Sequence, residues 1–420
     1  MSNFNAVDAR SFSSVAKGVG SHSAAFSHYC NLGLVVGNDN SGKLVSDCVK
    51  AQAKQCFVNL KAVIEESGHC VSDAARVSIF LLDLRDLKAV EAEYLAVFKN
   101  CLPTLSVAAV KGLPKGAKVG VDALLTHGLG TIPNAPQAGD LIKLVSNNPA
   151  APVSANSTQV VAFSHYNNVS CQLPIDPATN RVETECVASQ AVQCFKNLSA
   201  ALAGIRIGLD DVVKVTIFLK DLANTEAVDK IYKRFFPRSA IARAVNYLPA
   251  RTVIKVADLP HGAHIAVEAS VAHGDGTPPQ IIEDRHGIVI IARNNAKAPV
   301  CPHSTQSVAF SHYNHLSAQF PLDAKGALVG SDVKSQAAQV FANIKAIVEN
   351  CGHNMNELVK INAYLADMAD EDAFNAEFEK AFGNGVRPAL RLVATGEIAF
   401  GAKVMADAIL SNPEGTPPAK

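Results

Sequence analysis

AFSHYC (25–30), AFSHYN (162–167) and AFSHYN (309–314) are one string written three times in a chain of 420 residues. Working outward from it, the same segments follow in the same order each time. QCFVNLKAVIEESG (55–68), QCFKNLSAALAGI (193–205) and QVFANIKAIVENCG (339–352) come next. After them stand RVSIFLLDL (76–84), KVTIFLKDL (214–222) and KINAYLADM (360–368), then AVEAEY (89–94), AVDKIY (227–232) and AFNAEF (373–378). AKVGVDALL (117–125), AHIAVEASV (263–271) and AKVMADAIL (402–410) close the copies, and GTIP or GTPP punctuates their ends. A period of roughly 135–150 residues is far above the 20–50 of solenoid repeats, so each copy is a whole domain. The expected domains are 1–132, 140–276 and 285–413.

The middle copy shows what each domain is. Ile142, Leu144 and Val145 open a strand that the prolines of NNPAAPVSAN (147–156) break. A hairpin is expected in 160–174, with Asn167 and Asn168 suited to its turn. From Glu183 to Ala203, Val187, Ala191, Cys194, Phe195, Leu198 and Leu202 recur at helical spacing, and Gly204 marks the stop. DDVVKVTIFL (210–219) is rich in β-branched residues and predicts a strand. A second helix follows with Ala227, Ile231, Tyr232 and Phe235 on one face, then two strands, ARTVIKVA (250–257) and HIAVEASV (264–271). The order predicts an α+β domain, a mixed sheet with two helices on one face. The opposite sheet face is left apolar, and three such faces around a pseudo-threefold axis would bury it. The chain is therefore expected to be an intramolecular pseudo-trimer, monomeric or a low-order oligomer.

Composition narrows the function. Hydrophobic residues make up 48% and charged residues 18%, so each domain can bury an ordinary core. Net charge is zero, without the basic footprint of nucleic-acid binding. No apolar run approaches the ~18 residues of a membrane span. The ten cysteines show neither CxxC pairs nor metal-ligand spacing, which suits free thiols in a reducing compartment. The cytoplasm is the default location. Arg10 and Lys17 among serines leave a mitochondrial leader as the alternative, which Asp8 opposes.

Two stretches of the middle copy, LPARTVIKVADLPHGAHIAVEASVA (248–272) and SCQLPIDPATNRVETECVASQAVQCFKNLSAAL (170–202), resemble the reactive-intermediate deaminase (RidA, YjgF, endoribonuclease L-PSP) family. The resemblance implies a chorismate-mutase-like fold, trimeric, with clefts between subunits. It also implies hydrolysis of 2-imino and 2-enamino acids such as 2-aminoacrylate to 2-keto acids and ammonia. By that resemblance Arg251 is the carboxylate-gripping arginine and Glu268 the water-positioning acid. Ser170, Cys171 and Gln172 line the cleft, and Asp229 stands where an asparagine is common. Cys171 replaces a glycine and Ser157 replaces the family's N-terminal tyrosine. The flanking copies depart further. Copy one has Leu105 and Asp122 at the two key positions; copy three has Leu390 and Asp407, with Arg391 one residue late. Since strand side chains alternate faces, Arg391 is expected to aim away from the cleft unless a bulge rescues it.

The residue types fit this chemistry. An arginine fork meets a carboxylate with two charge-assisted bonds, and a carboxylate such as Glu268 can take a proton from attacking water. An imine is already electrophilic, so neither metal nor organic cofactor is called for. Against this stands a plainer reading, in which Arg251 and Glu268 are a cross-strand ion pair on one sheet face. Cys171 is read as a small pocket-lining residue, with a reactive thiol as the alternative. His28, His165 and His312 with Tyr29, Tyr166 and Tyr313 are assigned to a turn or hairpin, and Phe57, Phe195 and Phe341 to the core. Two further functions stay open: a non-catalytic protein that binds small carboxylates or serves as a scaffold, and an endoribonuclease or translation inhibitor.

Overall fold

A computed structural model describes residues 7–128, 143–237, 247–273, 277 and 289–416. The expected boundaries at 132, 140, 276 and 285, and Ile142, lie outside these residues. Each copy carries one long and one shorter helix: α1 (Val49–Glu66) and α2 (Leu87–Phe98), α3 (Val187–Ala203) and α4 (Thr225–Phe235), α5 (Val333–Asn350) and α6 (Glu371–Phe382). In the middle copy the sheet runs Ala250–Lys255, Val212–Leu219, Ile265–Ala272, Tyr166–Gln172, Val160–Phe163, Leu144–Ser146. Only the pairing of Val212–Leu219 with Ala250–Lys255 is parallel, because α4 crosses between them; every other neighbour is antiparallel.

Helical periodicity decides which side of the sheet is covered. Cys194, Phe195, Leu198 and Leu202 of α3 and Tyr232 of α4 are buried against Val215, Ile217, Val267 and Ala269 of the strands. Cys194 is fully buried and behaves as a small hydrophobe. Helix α3 begins four residues later than Glu183. Arg181–Val182 instead pairs with Ile175–Asp176, and Glu183 accepts a hydrogen bond from Thr179 in that turn. Gly204 does end the helix, but its own backbone stays right-handed, and Arg206 takes the left-handed position (φ 61°). What demands glycine is a close approach: a Cβ at 204 would lie 2.8 Å from that of Asn148.

The hairpin turn is not at Asn167 and Asn168. Phe163 sits opposite Tyr166, so Ser164 and His165 form the two-residue loop, with Ser164 at φ 50°. Positive φ at the first loop residue matches the right-handed twist of the strands. Ser27 and Ser311 do the same at φ 48° and 49°. Asn167 and Asn168 are buried strand residues.

The hairpins bring the three copies together. Tyr29 Oη donates to the Phe163 carbonyl (2.7 Å), Tyr166 to that of Phe310, and Tyr313 to that of Phe26. Each copy thus bonds to the next and the third returns to the first. The three tyrosine rings meet edge to face at centroid distances of 5.8–6.2 Å. Buried Phe26, Phe163 and Phe310 extend this apolar layer, and Phe80, Phe218 and Tyr364 belong to a second at the far end of the interface. The sheet faces opposite the helices meet around a pseudo-threefold axis.

Candidate functional site

Strand register sorts the site residues before any contact is considered. Thr216 faces both Thr252 and Glu268, whereas Val215 faces Arg251 and Ala269. Arg251 and Glu268 therefore project from opposite sides of one sheet. The expected pairing of the two, as catalytic partners or as an ion pair, is corrected here. Alternation along a strand forbids it.

Glu268 turns to the axis. There Ser106 of copy one donates to it, and Arg76 Nη1 of the same copy lies 3.4 Å away. Asp407 and Asp122, its counterparts, do likewise. Lys214 Nζ is 3.4 Å from Asp407, and Lys360 Nζ is 2.9 Å from Asp122. Each basic residue reaches the acid of the next copy, which closes a buried ring of three ion pairs. Arg391 joins this ring. Its partner across the parallel pair is Asn362, which puts it in register with Ser106 and Thr252 rather than with Arg251. Its fork meets Asp122 at 2.7 and 2.8 Å, and its Nη2 reaches Ser78 at 2.9 Å. Burial opposes ionisation of Asp122, but Arg391 and Lys360 together hold its carboxyl well below the usual range.

On the other side of the sheet each copy meets the next at a boundary, three in all. Arg251 stands at the boundary between copies two and three. The Arg251 backbone N–H donates to Ser317 Oγ (2.9 Å), and its carbonyl accepts from Ala318 (3.0 Å). The guanidinium stacks over Tyr232, 4.6 Å from the ring centre, and Nη2 meets Asp229 Oδ1 at 2.5 Å. His303 of copy three brings Nε2 to 3.4 Å from Asp229 Oδ2. Burial lowers the His303 imidazole's affinity for a proton, while Asp229 opposes that shift. Arg251 Nε and His303 Nδ1 have no protein partner among the described residues. The arrangement Arg251–Asp229–His303 is a carboxylate held between two bases across a domain boundary.

Ser170, Cys171 and Gln172 belong elsewhere. They line the cleft between copies one and two, of about 320 Å³, opposite Leu105 and Glu91. Ser170 Oγ accepts from the Leu105 N–H at 2.9 Å, the same bond that Ser317 makes to Arg251. Burial pushes the Cys171 thiol well up, with the Glu268 charge adding to the shift, which suits a pocket-lining thiol. Leu390 lines a second cleft, between copies three and one, of about 670 Å³, together with Asn375, Glu371 and Arg387. Each cleft combines the arginine position of one copy with the hairpin strand of the next. The residues expected around one inter-domain cleft, Arg251 with Ser170, Cys171 and Gln172, stand at two different boundaries of copy two.

His303, Ser317 and the Arg76, Lys214, Lys360 ring were missed in the sequence. The ring had a visible signal, since RVSIF, KVTIF and KINAY each place a base ahead of an apolar strand. The signal for His303 was fainter: HSTQ (303–306) set beside NSTQ (156–159). Among the described residues, no three His, Cys, Asp or Glu side chains converge to hold a metal ion, and no helix is long and apolar enough to cross a membrane.

Fold and register together define a triplicated α+β domain whose copies enclose clefts at their boundaries. The endoribonuclease L-PSP family model matches residues 32–126, 148–273 and 294–410, and the chain belongs to that family three times over. Among similar proteins is the 2-iminobutanoate/2-iminopropanoate deaminase of Rattus norvegicus. It is 32% identical over 135 residues, which are 32% of this chain and 93% of the relative. The RutC family protein y4sK of Sinorhizobium fredii is 33% identical over 132 residues, 31% of this chain and 98% of the relative. Of solved structures, the YjgF gene product of E. coli is 30% identical with a TM-score of 0.28, covering 31% of this chain and 98% of its own.

Proposed function

We propose that the chain hydrolyses 2-imino and 2-enamino acids, without a cofactor, to 2-keto acids and ammonia at the boundary between copies two and three. The observation that carries this reading is Arg251, a buried guanidinium at an inter-copy boundary, paired with Asp229 and with no partner for Nε among the described residues. A substrate carboxylate replaces Asp229 on the fork, exchanging one charge-assisted pair for another. Because Glu268 faces the axis, water activation falls to the released Asp229 with His303 beside it. Water adds to the imine carbon and gives its proton through that pair to the nitrogen. The carbinolamine then expels ammonia and leaves the ketone. The similarity to the rat deaminase supports the reaction class.

The test generates an imino acid in situ with an amino-acid oxidase and follows keto acid release. Wild type should accelerate release, and Arg251→Ala should lose at least about 100-fold, the scale of removing a positioned charge-assisted contact. If Arg251→Ala works as fast as wild type, the site assignment fails. A second reading, non-catalytic binding of small carboxylates, is favoured by one feature: Asp229 already occupies the fork. Keto acid binding without imine turnover would select it. Cleavage of RNA that Arg251→Ala abolishes would select the endoribonuclease reading, which the zero net charge disfavours.

A further inference from the structure

The axial ring holds an unequal number of charges. Arg76, Lys214 and Lys360 match Glu268, Asp407 and Asp122 one for one. Arg391 is a fourth cation, present because copy three has arginine where the other copies have Ser106 and Thr252. It draws on Asp122, which must then serve both Arg391 and Lys360. Lys214, Lys360, Arg391 and all three acids are buried. An unbalanced buried charge is costly unless something neutralises it.

The surplus has a place to be met. Two adjoining cavities of about 30 Å³ each lie on the axis and share Arg76, Ser270, His315 and Ile409 in their walls; one also has Lys214 and Arg391 together with the acids Glu268 and Asp407, three cations against two anions. Each exceeds the roughly 10–15 Å³ that one water-sized species needs. Their walls supply donors. Arg76 Nη1 stands 3.4 Å from Glu268, longer than a good ion pair, and His315 Nε2 is buried without a protein partner among the described residues. Lys214 Nζ, already bonded to Thr252 Oγ1 (2.8 Å) and the Leu316 carbonyl (2.6 Å), contributes its charge alone. A neutral imidazole carries one N–H to offer. Burial, with Lys214 and Arg76 adding to it, pushes the His315 imidazole down to about 3, so the ring is neutral at pH 7.

We propose that the pseudo-threefold axis binds one small monovalent anion of the halide class, held by Arg76 and His315 with the Lys214 charge beside them, which neutralises the charge that Arg391 introduces. One surplus charge sets the valence, and the cavity size excludes a bulky polyatomic ion. The site lies on the opposite side of the sheet from Arg251 and is independent of the proposed reaction.

Crystals of the full chain grown in bromide test it directly through the anomalous signal. A peak on the axis against Arg76, Lys214 and His315 is expected, and an axis without one overturns the proposal. In solution, melting is followed in sodium gluconate and sodium chloride at equal ionic strength. Wild type should gain several degrees as chloride reaches about 100 times its dissociation constant. Arg391→Thr, the residue of copy two, should show no chloride-specific gain. An equal gain in both proteins would also overturn the proposal, and should Arg391→Thr not fold, the bromide map of wild type still decides.

Discussion

At the scale of single residues, the axis makes the protein sensitive to acid in a way its surface does not suggest. His315 is placed among Lys214, Arg76 and Asp407 and pushed down to about 3, and His28 is pushed down to about 4, in both cases mainly by burial. Both stay neutral in the folded chain where the unfolded chain, near 6.5, takes up protons. Between pH 6.5 and about 4 the unfolded state therefore binds more protons, so stability falls as pH falls. Each group contributes up to about 1.4 kcal/mol per pH unit inside that window. His315→Asn, which installs the residue of Asn31 and Asn168, should remove one proton equivalent. Chemical denaturation at pH 6.0 and 4.5 checks this. A slope identical to wild type would mean that His315 is not buried neutral.

At the scale of elements, the three long helices differ at their first residue in a way that chemistry can read. Cys48 and Cys186 cap α1 and α3, where Asp332 caps α5 and accepts from the Ser335 N–H at 2.9 Å. Both capping thiols are exposed, and backbone N–H groups of the first turn lower them towards the thiolate. Cys56 and Cys194, on the inner faces of the same helices, are pushed up by burial. Brief alkylation at pH 7.5 followed by peptide mass spectrometry should modify Cys48 and Cys186 first and Cys56 and Cys194 last. Equal labelling would mean that the helices do not pack as described. The inner faces were legible in the sequence because period 3.6 fixes which side of a helix is apolar, and Phe57, Phe195 and Phe341 are core residues as expected. Strands gave their face only relative to their neighbours. The one-residue offset of Arg391 could be seen from the sequence, but what lay on the face it turned towards could not. The site was hardest of all, since Arg251 and Ser317 belong to different copies, 66 positions apart in the chain, and meet only through the rotation that relates those copies.

At the scale of the molecule, fusion lets three positions of one trimer evolve separately, and the axial charges record which copies could still stand alone. A trimer of copy two would set three Lys214 against three Glu268 around three Thr252, a balanced ring. It would also set Arg251 of each chain against Ser170, Cys171 and Gln172 of the next, since Ser170 already takes the place of Ser317 in its own cleft. A trimer of copy three would gather three Lys360 and three Arg391 around three Asp407, a surplus of three buried cations that no small adjustment relieves. Residues 140–276 expressed alone should sediment as a homotrimer with three Arg251 clefts, and residues 285–413 should remain monomeric or aggregate. Arg391→Thr in the latter should restore assembly. If residues 285–413 trimerise unaided, the repulsion is weaker than the ring geometry implies. Copy three is then held in the full chain by its partners' hairpins, through Tyr313 on Phe26 and Tyr166 on Phe310, and not by the axial charges.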